Sequence, residues 1–166
     1  MFQHILLPTD GSQLSRDTAE RAVAFAKASN ARITALYAKS LGRTEDEGNL
    51  IEPGVLERLT TGSEGKSKEY LGFIKKLCKD AGVDCTAISV VSETPWEAII
   101  NAADDHDCDL IFMSKHGRGG LSSLLLGSET YRVLTHSSVP VLVYRPPEID
   151  AKRRKAKAKE REKKKG

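Results

Sequence analysis

Short apolar runs alternate with amphipathic stretches along most of the chain. Five of these runs have the length and the aliphatic or β-branched content that is typical of strands. They lie at residues 2–7, 32–38, 85–91, 110–113 and 139–144. The first run is followed by Pro8 and then by a turn-forming sequence, so we expect that strand to end at Pro8.

The segments between these runs carry apolar residues at intervals of three and four positions, which is the spacing of an amphipathic helix. The predicted helices cover residues 12 or 13 to 29, residues 55–81, a segment that begins at Pro95, and residues 127 or 128 to 136. Thr94 is the expected N-cap of the third helix, with Pro95 at its first position. A polar stretch from Lys39 to about Pro53 is predicted to be a long loop.

Strands that alternate with helices predict an α/β protein. Right-handed crossovers place the helices on both faces of a mostly parallel sheet. The expected fold is therefore a doubly wound, open, five-stranded parallel sheet sandwiched by helices, similar to a Rossmann fold. Ligands of such sheets bind beyond the carboxyl ends of the strands, where the strand order reverses. The loops after the first and fourth strands are therefore the places where a site is expected.

Composition narrows the class of protein. The 166 residues are enough for one domain, and no apolar run approaches the ~18 residues that would cross a bilayer. Cys78, Cys85 and Cys108 occur in no CxxC or Cys/His spacing, so neither a disulfide framework nor a zinc site is indicated. The first residues lack the features of a secretory signal, which predicts a cytoplasmic location.

The charges are divided unevenly along the chain. Residues 151–166 contain ten Lys or Arg and two Glu, a net charge of +8, whereas residues 1–150 contain sixteen Lys or Arg and twenty-one Asp or Glu, a net charge of −5. We therefore predict a domain at residues 1–147 and a disordered basic tail at residues 148–166. The tail is interpreted as a solvated appendage or as an arm for nucleic acid or an anionic membrane surface.

The loop after the fourth strand has the composition of an anion-binding loop. It begins at Ser114, contains several glycines, and ends at Gly127 and Ser128, where a helix is predicted to begin. Glycines let the backbone approach an anion closely, and the N–H groups at a helix start can bind it. The spacing excludes the Walker A and Rossmann motifs. Tight turns without a ligand are the alternative interpretation.

Three segments together carry a resemblance to a known family. They are the opening His4-Ile-Leu-Leu-Pro-Thr-Asp10-Gly-Ser12, the loop His116-Gly117 with nine residues before Gly127-Ser128, and the closing Val139-Pro-Val-Leu-Val143. In these segments the chain resembles the single-domain, ATP-binding universal stress proteins, and the resemblance covers residues 1–146. It implies a fold like that of the adenine nucleotide alpha hydrolases and a site for an adenine nucleotide.

The resemblance also implies which residues line that site. Pro8 and Thr9 would form a wall of the adenine pocket, and Asp10 would face the ribose with its two acceptor oxygens. Taken from the residues alone, Asp10 has the alternative role of a turn or cap residue before the first helix. The other implied contacts to adenine, ribose and phosphates come from Ala38, Met113, Ser114, Lys115, His116, Gly117, Arg118, Gly127, Ser128 and Glu129.

Ser114 and the charged residues after it leave room for a second interpretation. In nucleotide-binding members the loop reads Gly-x-x-Gly-x9-Gly-Ser/Thr, and Ser114 stands at the first glycine. A serine there costs roughly 1 kcal/mol if its φ must be positive. Lys115, His116 and Arg118 are candidate phosphate partners, with solvated surface charges as the alternative. His116 has no neighbouring base and nucleophile that would indicate catalysis.

The sequence favours a nucleotide-responsive binding protein over an efficient hydrolase, because only part of the machinery for phosphoryl transfer is present. The resemblance implies a cytoplasmic, ATP-binding regulator of stress responses that forms a homodimer through the strand at Val139–Tyr144. The alternative is an edge that Pro140 and the segment Arg145-Pro146-Pro147 protect from pairing. A magnesium ion, if bound, is expected on the phosphates and water, with Ser128 as a candidate ligand. The alternatives are slow ATP hydrolysis, a protein-interaction module without nucleotide binding, and a binder tethered through its basic tail.

Overall fold

The strands and helices alternate along the chain as the sequence predicts. The computed structural model describes residues 1–39, 53–116 and 126–146, with side chains in the second stretch described from residue 64 onward. The elements are β1 His4–Thr9, α1 Gln13–Ser29, β2 Arg32–Lys39, α2 Pro53–Ala81, β3 Cys85–Val91, α3 Pro95–Asp105, β4 Leu110–Ser114, α4 Ser128–His136 and β5 Val141–Tyr144.

The five strands form one parallel sheet in the order β3-β2-β1-β4-β5. Apolar side chains of α1 and α2 pack on one face of the sheet, around Phe112 and Ile33. Those of α3 and α4 pack on the other face, around Leu36 and Ile111. The predicted doubly wound α/β fold is confirmed. The strand order reverses between β1 and β4, which is where a ligand is expected.

Strand β1 parts from β4 halfway along its length. It pairs with β2 from His4 to Thr9, but its ladder with β4 covers Ile5 and Leu6 alone. The expectation that β1 ends at Pro8 was therefore wrong, because the strand continues to Thr9. The carboxyl halves of β1 and β4 thus border a gap in the sheet.

Pro8 explains the parting. The carbonyl of Gln3 accepts a hydrogen bond from Arg32 on the β2 side, and that of His4 accepts one from Asp109 on the β4 side, both at 2.9 Å. Because successive residues of a strand direct their backbone groups to opposite neighbours, the even-numbered residues of β1 face β4. Pro8 therefore faces β4 and has no N–H to offer to that ladder.

The turn from β1 into α1 is held tightly by local contacts. Ser12 is the N-cap of α1, and its Oγ accepts a hydrogen bond from the N–H of Ser15 at 3.2 Å. Gly11 has a φ of +76°, and a Cβ added to it would overlap the ring of Tyr70 in α2. A glycine is needed here both for the positive φ and for the close approach of the aromatic ring.

Strand β5 is shorter than predicted. We expected it to begin at Val139, whereas it begins at Val141. The backbone N–H of Val139 donates to the Oγ of Ser137 at 3.1 Å, and that hydroxyl donates back to the carbonyl of Val139 at 2.8 Å. Pro140 contributes no N–H, although its carbonyl accepts a hydrogen bond from Ile111 of β4 at 2.9 Å, so the regular strand begins after it.

Some predictions fall outside the described residues. These are residues 40–52 of the predicted long loop, the glycine-rich residues 117–125 and the basic tail at residues 148–166, so the division at residue 147 stays a prediction. The predicted ends of that loop were wrong, because Lys39 belongs to β2 and Pro53 begins α2. In the part of the chain that the structure does describe, no helix combines the length and the apolar character that crossing a membrane requires.

We expect the stability of the fold to fall in acid partly through His4. His4 is 8% exposed, and its Nε2 lies 2.8 Å from the Oγ1 of Thr34. Burial, together with the nearby Arg32 guanidinium, lowers the pKa of His4 below its ordinary value of 6.5. Below pH 6.5 the unfolded chain therefore binds more protons at this position than the folded chain, which favours unfolding.

The measurement is the midpoint of thermal unfolding as a function of pH, for the wild type and His4→Gln. Glutamine keeps a polar group for Thr34 but does not titrate. The wild type should lose stability more steeply than the variant as the pH falls below 6.5. Parallel curves for the two proteins would show that His4 is not involved.

Candidate functional site

A cavity of about 440 Å³ opens where β1 and β4 part. It lies at the carboxyl ends of β1, β2 and β4 and is closed by the starts of α1, α3 and α4. A cavity of this size at the switch point of a parallel sheet suits a small organic ligand. The predicted site residues that line it are Pro8, Thr9, Asp10, Ala38, Met113, Ser114, His116, Gly127, Ser128 and Glu129.

Five further residues that the sequence does not predict also line the cavity. They are Ser15, Leu36, Pro95, Ile99 and Thr130. Leu36 could have been found from strand alternation, because it lies two residues before Ala38 and so on the same face of β2. Pro95 and Ile99 could not have been found in this way, because α3 is brought to the cavity by the packing of the whole second helical layer.

The cavity has an apolar floor and a polar rim. The floor includes Leu36, Ile99 and Met113, which belong to the core cluster under α3 and α4. The rim carries hydroxyl, carboxylate and imidazole groups from the two loops that flank the gap. An amphipathic ligand with a flat apolar part and a polar or charged part matches this division.

The β1–α1 side of the rim is ordered by a chain of hydrogen bonds. The Oγ1 of Thr9 lies 3.1 Å from the Oγ of Ser15, which in turn donates to the carbonyl of Ser12 at 3.0 Å. The Oδ1 of Asp10 accepts a hydrogen bond from the N–H of Ser12 at 2.9 Å. Asp10 is thus a turn residue and a cavity residue at once, since one carboxylate oxygen holds the turn while the side chain lines the cavity.

On the other side of the rim, two hydrogen bonds join the end of β4 to the start of α4, and we refer to this contact as the β4–α4 junction. The N–H of Gly127 donates to the carbonyl of Lys115 at 2.9 Å, and the Oγ1 of Thr130 donates to the carbonyl of Ser114 at 3.1 Å. A Cβ added to Gly127 would lie 2.9 Å from the Cα of His116. Gly127 has a φ of −62°, so a glycine is required here by the close approach of two backbones and not by the torsion angle.

Ser114 lies at the β4–α4 junction in an ordinary strand conformation. It is the last residue of β4, and the non-glycine residues with positive φ in the described ranges are Asn30 and Asp107. Its Oγ donates to the carbonyl of His116 at 3.0 Å. The penalty for a left-handed serine therefore does not arise at this position.

The first turns of α1, α3 and α4 lie near the cavity, and their backbone N–H groups differ in the acceptors they find. α1 is capped by its own Ser12, and the N–H of Trp96 in the first turn of α3 donates to the Oε2 of Glu129 at 2.8 Å. The N-cap position of α4 is Gly127, which has no side chain to accept a bond. The first N–H groups of α4 therefore lie at the cavity wall without a side-chain cap, where they and the helix dipole favour an anion.

Lys115 contacts the predicted site residues through its backbone carbonyl, which accepts the hydrogen bond from Gly127, but it does not line the cavity. Its exposed fraction is 9%. Gly117 and Arg118, the other predicted residues of this loop, lie outside the described residues. Within the described ranges, no three His, Cys, Asp or Glu side chains come together in a way that could hold a metal ion.

Comparison with known proteins decides the family. The profile of the universal stress protein family matches residues 1–145. The chain belongs to the universal stress protein family. A universal stress protein of Methanocaldococcus jannaschii is 30% identical to it over 147 residues, which are 89% of this chain and 84% of that relative.

Solved structures of universal stress proteins superpose well on this one. The structure of a second Methanocaldococcus jannaschii member gives a TM-score of 0.75 at 29% identity and covers 88% of this chain and 97% of that chain. A universal stress protein in complex with cAMP gives a TM-score of 0.65 at 27% identity, with 87% and 97% of the two chains covered.

Replacing Gly127 by alanine should destabilise this universal stress protein. The added Cβ overlaps the backbone of His116, which cannot move aside without disturbing the β4–α4 junction. We expect the free energy of unfolding to fall by about 1–3 kcal/mol. Gly72→Ala is the matched control. Gly72 lies on the exposed side of α2 with no atom within 4 Å of the added Cβ, so its replacement should stabilise by roughly 0.5–1 kcal/mol.

Urea-induced unfolding of the two variants and the wild type measures both effects. The prediction requires shifts of opposite sign. If Gly127→Ala were as stable as the wild type, the β4–α4 junction would tolerate a side chain, and the close contact with His116 would not require a glycine.

Proposed function

We propose that this universal stress protein binds ATP in the cavity between β1 and β4 and acts as a nucleotide-responsive regulator of stress responses in the cytoplasm. The observation that carries the proposal is the composition of the cavity, with an apolar floor at one end and the uncapped start of α4 at the other. A relative that covers most of the chain is described in complex with cAMP, which supports an adenine nucleotide as the class of ligand.

The chemistry of the lining suggests how each part of the nucleotide would be held. The adenine ring would lie on the apolar floor near Leu36 and Ala38. The ribose hydroxyls would donate to the carboxylate of Asp10, whose position is fixed by its bond to Ser12. The phosphates would accept hydrogen bonds from the first turn of α4, at Ser128 and the residue after it.

The lining favours binding over efficient hydrolysis. Among the cavity residues that the structure describes, the carboxylates are those of Asp10 and Glu129. Each already accepts a hydrogen bond from a main-chain N–H, of Ser12 and Trp96 respectively. A magnesium ion bound with ATP would be held mainly by phosphate oxygens and water, with the hydroxyl of Ser128 within the same wall.

Ser114 is the residue whose identity favours a family member without nucleotide binding. Its strand conformation and its hydrogen bond to His116 remove the reason to expect strain at that position. The close approach of Gly127 to His116 further supports a nucleotide site, because it brings the start of α4 to the end of β4. We therefore prefer the nucleotide-binding function to a pure interaction module.

Filling the floor of the cavity should abolish or weaken ATP binding. We expect Ala38→Leu to reduce the affinity by about tenfold or more, because the longer side chain occupies the space assigned to adenine. The control is Ala24→Leu, on the exposed side of α1 and away from the cavity. Isothermal titration of each protein with ATP, AMP and cAMP gives the affinities.

The same titration includes a chain that ends at residue 147. Its affinity should equal that of the full chain, because the proposal assigns the site to the domain and not to the basic tail. Equal ATP affinities for the wild type and Ala38→Leu would place the nucleotide elsewhere. Absence of binding to all nucleotides at millimolar concentration would leave the interaction module as the better account.

We further propose that the protein forms a homodimer through β5. β5 is an edge strand that pairs with β4 through its even-numbered residues, because Pro140 and Tyr144 accept hydrogen bonds from β4 and the residue after it. The backbone groups of Val141 and Val143 therefore point away from the sheet. Tyr131 and Leu134 of α4 are 59% and 42% exposed and add apolar surface beside this edge.

Val143→Pro should convert the dimer to a monomer without unfolding it. Proline removes an N–H that points outward, whereas the inward ladder to β4 keeps all its donors. Leu142→Pro is the matched contrast, since it removes an inward N–H and should destabilise the fold itself. Light scattering coupled to size-exclusion chromatography, with circular dichroism as the check on folding, distinguishes the two. A Val143→Pro variant that stays dimeric would exclude pairing through this edge.

A further inference from the structure

Two cysteines lie at the two ends of the turn that joins α2 to β3, at the end of the sheet opposite the nucleotide cavity. Cys78 lies in the last turn of α2 and is fully buried in the core cluster between the helices and the sheet. Cys85 is the first residue of β3, is half-buried, and packs against the same cluster. We refer to Cys78 and Cys85 as the thiol pair.

Backbone hydrogen bonds fix the turn that joins the two cysteines. The N–H of Val83 donates to the carbonyl of Cys78 at 2.8 Å, and Gly82, with a φ of +71°, closes the end of the helix. The carbonyl of Asp84 then accepts a hydrogen bond from Ile33 of β2 at 2.8 Å. The pair is thus held by the ends of two regular elements and not by a loose loop.

Cys85 is accessible to a small oxidant, whereas Cys78 is not. Cys85 lines an open cleft of about 340 Å³ at the amino ends of β2 and β3, together with polar and charged residues such as Arg32 and Asp84. Cys78 is at 0% exposure and does not line this cleft. A polar molecule of the size of a peroxide can therefore reach one sulfur of the pair and not the other.

The two thiols also differ in acidity. A hydrogen bond between them lowers the pKa of Cys85, and the Lys75 ammonium lowers it further. The same hydrogen bond, together with burial, raises the pKa of Cys78. The half-buried Cys85 is therefore the more acidic thiol of the pair, and the thiolate is the reactive form of cysteine.

We propose that Cys78 and Cys85 are a peroxide-sensitive dithiol that closes to an intramolecular disulfide. The Cys85 thiolate attacks one oxygen of a hydroperoxide, the O–O bond breaks, and the departing oxygen takes up a proton and leaves as water or an alcohol. Cys85 is then a sulfenic acid. The sulfur of Cys78 loses its proton and attacks the sulfur of Cys85, and the sulfenic oxygen leaves as water. The two thiols lose two electrons, and the hydroperoxide gains them.

Cys108 provides an internal comparison. It is buried at 5% exposure in the other core cluster, and burial raises its pKa to about 11. It has the same chemistry as the thiol pair but neither a partner cysteine in the described structure nor an acidic thiol. The proposal therefore requires that Cys108 stays reduced under conditions that oxidise the thiol pair.

The test treats the full-length wild-type protein with hydrogen peroxide and follows the intact mass. The expected product is a monomeric chain that has lost two hydrogen atoms. Trypsin cuts between Cys78 and Cys85 at Lys79, and chymotrypsin cuts between Cys85 and Cys108 at Trp96. The digest should therefore contain a peptide pair linked through Cys78 and Cys85 that separates on reduction, with Cys108 unmodified.

Two variants separate the roles of the pair. In Cys78→Ala, Cys85 should accumulate as a sulfenic acid that dimedone traps, because no second thiol is available. In Cys85→Ala, Cys78 should remain unmodified. Circular dichroism checks that both variants are folded. The rate of wild-type alkylation against pH is an independent measure, and its midpoint should lie below the ordinary thiol value of 9.0.

Several results would overturn the proposal. They are an unmodified wild type, oxidation of Cys85 to a sulfinic acid without loss of two hydrogens, a disulfide between two chains, and oxidation of Cys108 at the same rate as the thiol pair. An alkylation midpoint at or above 9.0 for Cys85 would remove the basis for its reactivity.

Discussion

The site depends on one missing hydrogen-bond donor in the centre of the sheet. Pro8 faces β4 from the middle of the strand order and cannot extend the ladder between β1 and β4 beyond Leu6. β1 nevertheless remains paired with β2 to Thr9, so the sheet opens on one side of β1 and stays closed on the other. The cavity, the two loops at its rim and the helix start at its wall all lie around this opening. A central proline, which would weaken an ordinary sheet, here shapes the cavity of the candidate site.

Much of the fold could be predicted because each element has a strong local signal. The spacing of apolar residues and the alternation of strands with helices were enough to give the doubly wound sheet. The errors occurred where a side chain or a proline redirected the backbone. Ser137 holds Val139 in a turn and delays β5, and Pro8 fails to end β1 because its missing donor lies on the β4 side alone.

The candidate site was less accessible to sequence reasoning. The loop motifs and the resemblance they carry pointed to both sides of the rim, since those residues are close along the chain. Pro95 and Ile99 come from a helix that no site motif touches, and packing alone brings them to the cavity. Lys115 shows the reverse, because it stands between two cavity residues in sequence and is buried, yet it does not line the cavity itself. Spacing tells which residues are neighbours, but not which way a side chain is directed when a strand passes into a loop.

Glu129 has two structural roles at the cavity wall. It belongs to the first turn of α4, and its carboxylate also satisfies the start of α3 at Trp96. A substitution of Glu129 would remove the acceptor for the start of α3, whatever its effect on the proposed binding of an anion at this wall. At this position the proposed ligand preference and the thermodynamic stability of the fold would therefore change together. Evolution of a new ligand specificity in this chain would have to proceed through the other wall residues, or supply α3 with a replacement cap first.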